Sequence, residues 1–153
     1  MLRGAKQFIA KAAARRAVPL ILFSIAGKAF AMKAPDVGGV EPWPVSMPIP
    51  STTPYLGELV RRGRGVYAVY DLAGLWSLTV DERQSLCMMV KWGAAEVAVR
   101  VDSQIPSLEI ADIDMIRAVS NSQAGLIGHW THQGQDIPVV SLVNLEEHRR
   151  QAA

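Results

Sequence analysis

An all-β fold of the barrel or sandwich type is what this sequence predicts, and three observations predict it. Its apolar residues fall in short runs rich in β-branched and aromatic side chains. Turn signals built on glycine separate those runs. Helical spacing is confined to a few short stretches. With 153 residues, half of them hydrophobic and a fifth charged, the chain suits one domain with a real core.

The elements follow in order. Strands are expected over Leu20–Ile25 and Ala29–Met32, joined by a tight hairpin at Ala26-Gly27-Lys28. From Pro35 to Pro54 six prolines occur in twenty residues, a density that no central strand tolerates. This stretch is expected to be an extended connector. A short helical turn is expected from Tyr55 to Val60, then a strand over Val66–Tyr70. Leu86–Trp92 reads as a strand that reverses at Gly93. In its partner, Glu96, Ala98, Arg100 and Asp102 alternate with Val97, Val99 and Val101, the period of a half-buried strand. Gln133–Asp136 turns into a last strand over Ile137–Val143, and Leu145–Ala153 is expected to be a C-terminal helix.

Charge is unevenly spread. Residues 1–16 hold Arg3, Lys6, Lys11, Arg15 and Arg16 and no acid, so eleven basic residues face fourteen acids in the remainder, about −3. Residues 1–17 read as a basic extension. Leu2, Ala5, Ile9 and Ala12 share one face at helical spacing, so the extension can form an amphipathic helix that contacts a partner or an anionic membrane surface. The stretch is too short and too charged to span a membrane.

Catalytic signatures are missing: there is no phosphate loop, dinucleotide fingerprint, nucleophile elbow or metalloprotease motif. The expectation is a protein with no enzymatic activity, no metal and no cofactor. His129 and His132, with Asp136 as a third candidate, make a weak metal set, and the stretch reads better as a polar hairpin loop. Asp112 and Asp114 read as a solvated face. Cys87 lies in an apolar run and reads as a small buried hydrophobe. The run Arg61-Arg62-Gly63-Arg64-Gly65 is either a turn between strands or a cradle for RNA or another anion. The mildly acidic body works against a phosphate footprint.

Several motifs occur in a telling order. Phe23–Met32 is an apolar strand, a turn, an aromatic and a second strand. Val37-Gly38-Gly39-Val40 follows, then Ile49-Pro50 and Pro54-Tyr55-Leu56. Next come Gly57, Arg62-Gly63 or Arg64-Gly65, and Asp71-Leu72. Val99-Arg100-Val101-Asp102 and the closing run Ile137–Leu145 complete the series. Over about four-fifths of its length the chain resembles the CheW-like domains of bacterial chemosensory adaptors. It departs from that pattern at Gly39, where the family has a glutamate that faces the Arg-Gly arginine, and at Ala68, where it has a proline.

The resemblance implies two small SH3-like five-stranded β-barrels packed together, over residues 18–153. It implies a non-catalytic scaffold that couples methyl-accepting receptors to the regulatory domain of a chemotaxis-type histidine kinase, in the cytoplasm at receptor arrays. By position it assigns Val37 and Leu86 to the receptor-facing groove, and Arg62 or Arg64 to the functional arginine. The alternative from a different class is a small barrel that binds RNA or an anionic surface through its basic tail and Arg-Gly stretch.

Overall fold

A computed structural model describes residues 16–119 and 125–143. Among the described residues, twelve strands form two sheets of six, one more per sheet than expected. The first sheet has the order β10-β11-β12-β2-β1-β9 and the second β3-β7-β8-β6-β5-β4. In the first, β1 is Ala17–Ile25, β2 Lys28–Lys33, β9 Ser107–Asp112, β10 Ile116–Ala118, β11 Leu126–His132 and β12 Gln135–Val140. In the second, β3 is Val37–Pro42, β4 Ser46–Pro48, β5 Glu58–Arg62, β6 Gly65–Tyr70, β7 Ser85–Trp92 and β8 Ala95–Asp102. Each sheet is antiparallel except for one parallel pair, β2 with β12 and β6 with β8.

Both sheets curl, and alternation along the strands sorts the apolar side chains into three cores. Leu20, Ala31, Trp130, Ile137 and Val139 fill the first barrel. Val60, Val69, Cys87, Met89 and Ala98 fill the second. The largest core lies between the sheets. Phe23, Ile25, Phe30 and Met32 from the first meet Met88, Val90, Val97, Val99 and Val101 from the second. The valines of the alternating β8 run therefore face the junction, while Ala98 and Arg100 point into the second barrel.

The Ala26-Gly27 turn is a two-residue hairpin in which both residues take positive φ, +53° and +79°. That geometry matches the twist of the paired strands. Asp102 ties the turn to the other sheet: Ala26 N–H and Gly27 N–H donate to its two carboxylate oxygens at 2.9 and 2.8 Å. Asp102→Ala is expected to lower stability by about 1–2 kcal/mol, because two charge-assisted bonds between subdomains are lost. Denaturant titration checks this.

Four expectations need correction. The proline-rich stretch is not only a connector: it contributes β3 and β4. Both are edge strands, and Pro42 and Pro48 stand at their ends, where a missing N–H does least harm. Tyr55–Val60 is not helical. Leu59 and Val60 pair with Ala68 and Tyr67 in the β5–β6 hairpin, and Val60 is buried. A four-residue helix, α1 (Leu72–Leu75), was not anticipated. Its N-cap is Asp71, whose carboxylate accepts from Gly74 N–H at 2.9 Å. Finally, His129–His132 is not a loop but part of β11, with Trp130 buried in the first barrel. Residues 1–15 and the expected helix at 145–153 lie outside the described residues.

Candidate partner-binding face

The Arg-Gly run is a barrel turn. Arg62 pairs with Gly65 across a two-residue loop, Gly63-Arg64, in which Gly63 takes φ +59°. Period-two alternation then separates the arginines. Arg61 faces solvent, Arg64 is exposed at the turn, and Arg62 points inward beside Val60 and Glu58. The inward guanidinium spans the seam of the second barrel from β5 to β3. Its Nε lies 2.9 Å from Glu41 Oε1, with each side chain about a third exposed.

This ion pair accounts for the departure at Gly39. Residues 39 and 41 lie on the same face of β3, opposite Met89 and Cys87. A Cβ on Gly39 would sit 3.3 Å from Arg62 Nη2, so the guanidinium takes the space beside residue 39. Glu41, two residues along the strand on the same face, supplies the carboxylate that reaches the arginine. Arg62, not Arg64, is the arginine held by a carboxylate.

A second pair lies beside it. Arg100 stacks over the Trp43 ring at 3.9 Å and reaches Glu58 at 3.5 Å and Ser85 Oγ at 3.4 Å. Sequence reasoning missed both Trp43 and Glu41 as partners. The even positions of the β8 alternation were the available signal, since they put Arg100 on the barrel side. Beneath these pairs Cys87 is fully buried, and burial pushes its thiol from an ordinary 9.0 up to about 11, with Glu41 adding to the rise. The folded pKa is raised, so Cys87 stabilises the fold below about pH 9, and that contribution is lost as pH climbs towards about 11. Ellman's reagent at pH 8 is expected to react with Cys87 only after denaturation.

The opposite face of β3 carries Val37, and Leu86 shares that face from β7. Val37 pairs with Val90, Val40 with Met88, and Pro42 with Leu86. Directly paired residues share a face, so Val37, Val40 and Leu86 all belong to the face turned to the inter-sheet core. Val37 and Leu86 are half-buried and pack on that core, while Val40 is 39% exposed. Leu86 stands four residues from Val90, so the two expected residues are about 13 Å apart along the strand. Val40 lies between them and was missed because a valine flanked by glycine and glutamate gives no signal of its own. The result is an apolar stripe across the edge strand β3 and its neighbour β7, with the Arg62–Glu41 pair on the other face of β3.

His129 and His132 do not form a metal site. Three residues apart on one strand they face opposite sides, with His129 Nδ1 at 3.5 Å from Asp136 and His132 stacked on Trp130 at 4.2 Å. The anion cradle is likewise absent from the Arg-Gly run: its inward arginine is already paired and its loop is a tight hairpin.

Comparison with known proteins agrees with this geometry. The CheW-like domain model matches residues 19–150. The chain belongs to the CheW-like domain family. This CheW-like chain also superimposes on the scaffolding protein TtCheW from Thermoanaerobacter tengcongensis with a TM-score of 0.72, at 17% identity, over 84% of this chain and 91% of that one. At that identity the likeness establishes the fold: two curled sheets packed as barrel-like subdomains. A comparison with curated protein sequences finds no match. The family places the CheW-like chain among adaptors and scaffolds of chemotaxis signal transduction. Among the described residues, no helix is long and apolar enough to cross a membrane.

Proposed function

We propose that this CheW-like protein is a non-catalytic adaptor that couples methyl-accepting chemoreceptors to a chemotaxis-type histidine kinase, in the cytoplasm at receptor arrays. The observation that carries the reading is the apolar stripe of Val37 and Val40 on the edge strand β3 and Leu86 on its neighbour β7, beside the junction of the two barrels. An amphipathic receptor helix can lay its apolar face along such a stripe. The kinase regulatory domain, with the same fold, is the second partner. Arg64, exposed at the β5–β6 turn, is free to meet an acidic rim on either one.

Size-exclusion chromatography with the kinase regulatory domain tests the adaptor role. A complex held by buried apolar surface survives added salt, because screening acts on exposed charges. A complex that dissolves at high salt, or none at all, contradicts this reading.

A further inference from the structure

A cleft of about 760 Å³ opens between the two subdomains, beside α1. One wall is the outer face of the β2–β12 pair, with Phe30, Pro138 and Val140. The other is the stretch that follows α1, with Trp76 and Leu78. The Trp76 ring lies on Phe30 with centroids 4.6 Å apart and planes within 14° of parallel. Val37, Val40 and Leu86 take no part in the lining, so the cleft is separate from the stripe on β3 and β7. Its volume falls in the range of about 300–1,000 Å³ found for small-molecule sites, which favour the boundary between packed units.

One end of the cleft is charged. The parallel register that sets Val139 beside Ala31 and Val140 beside Met32 also sets Asp136 level with Lys28, near the starts of the two strands. Period-two alternation turns both to the side of Phe30 and Val140. Asp136 is met from β10 and β11: Arg117 Nη2 and His129 Nδ1 lie 3.4 and 3.5 Å from its Oδ2. Lys28 is exposed and has no ion-pair partner among the described residues. The rim therefore carries one surplus positive charge next to an apolar space with aromatic walls. Gln135, in the same rim, adds amide N–H donors.

We propose that this cleft binds a small planar aromatic carboxylate. The ring packs against the Phe30–Trp76 pair, where burial of apolar area and offset stacking stabilise it. The carboxylate stays at the rim and accepts from Lys28 Nζ and the Gln135 amide. An aromatic cation would meet Lys28 and Arg117 at the same end and is disfavoured. The bound molecule touches both subdomains and ties the β2–β12 pair to the segment after α1. This inference does not rest on the adaptor reading.

The test is an NMR titration of the full chain with cinnamate and, in parallel, with the uncharged cinnamamide. With cinnamate, saturable shifts are expected at the Trp76 indole N–H and at the backbone amides of Lys28, Ala29 and Ile137, while those of Val40 and Leu108 stay in place. Cinnamamide is expected to shift the same signals with about fivefold weaker affinity. Lys28→Ala is expected to weaken cinnamate by the same factor and to leave cinnamamide unchanged. Lys28 is exposed, so its replacement leaves the fold intact. The proposal is overturned if cinnamate gives no saturable shifts at millimolar concentration, or if its shifts lie outside the cleft. It is overturned too if Lys28→Ala binds cinnamate as tightly as the unchanged chain does.

Discussion

Val40→Glu is expected to leave a folded, soluble protein that has lost its grip on the receptor tip. Val40 is 39% exposed, so a carboxylate there reaches water in the free protein and costs the fold little. In the complex the same carboxylate would be buried against an apolar helix face. Losing one central apolar contact costs about 2 kcal/mol or more, roughly thirtyfold in Kd, and an unpaired buried charge adds to that. Val37→Glu should act in the same direction with an added cost. Val37 packs against the central core from the strand end, so its replacement removes some packing as well as partner contact. Thermal melting separates the two effects. A Val37→Glu chain that precipitates beside a soluble, non-binding Val40→Glu chain would make Val37 a core residue. Normal receptor binding by both would remove the stripe from the site.

Arg62→Ala is expected to have the largest effect on stability among the arginines of this turn. It leaves Glu41 with a partly buried carboxylate and no cation across the barrel seam. Breaking a fully buried pair costs about 3–5 kcal/mol. With both side chains about a third exposed, solvent screening brings the expected loss to about 1–3 kcal/mol. Arg64→Ala, at the exposed turn, should change stability by less than about 0.5 kcal/mol. Adding Glu41→Gln to Arg62→Ala should recover part of the loss, because the orphaned charge is then gone. Equal losses for Arg62→Ala and Arg64→Ala in urea titrations would contradict the assignment of Arg62 as the seam-bridging residue.

What was legible in the sequence follows from how each element is stabilised. Strands whose apolar residues face a core announce themselves, as the valines of β8 and the run through β7 do. The β1–β2 turn was equally plain, since Ala26-Gly27 suits a hairpin that needs two positive φ values. Elements stabilised from a distance were not legible. In β5 only Val60 is deeply buried, and its arginines read equally as part of a turn or of an anion cradle until Glu41, twenty-one residues before Arg62, is seen across the seam. For β3 and β4, proline density argued against strands in general, although it excludes only central ones. The β11 segment hid a single inward Trp130 among polar neighbours. The site was half legible. Val37 and Leu86, singled out by resemblance, share one face in the strand register, but the carboxylate partner of Arg62 and the place of Val40 between them depended on a register that sequence does not display.

Hydrogen exchange of the full chain, with and without a receptor-tip helical hairpin, tests the central claim most directly. Slowed exchange is expected in Val37–Pro42 and around Leu86, with β9 and β4 unchanged on binding. Protection confined to β9 or β4, or none in β3 at saturating receptor, would contradict the assignment of the β3–β7 face to the receptor.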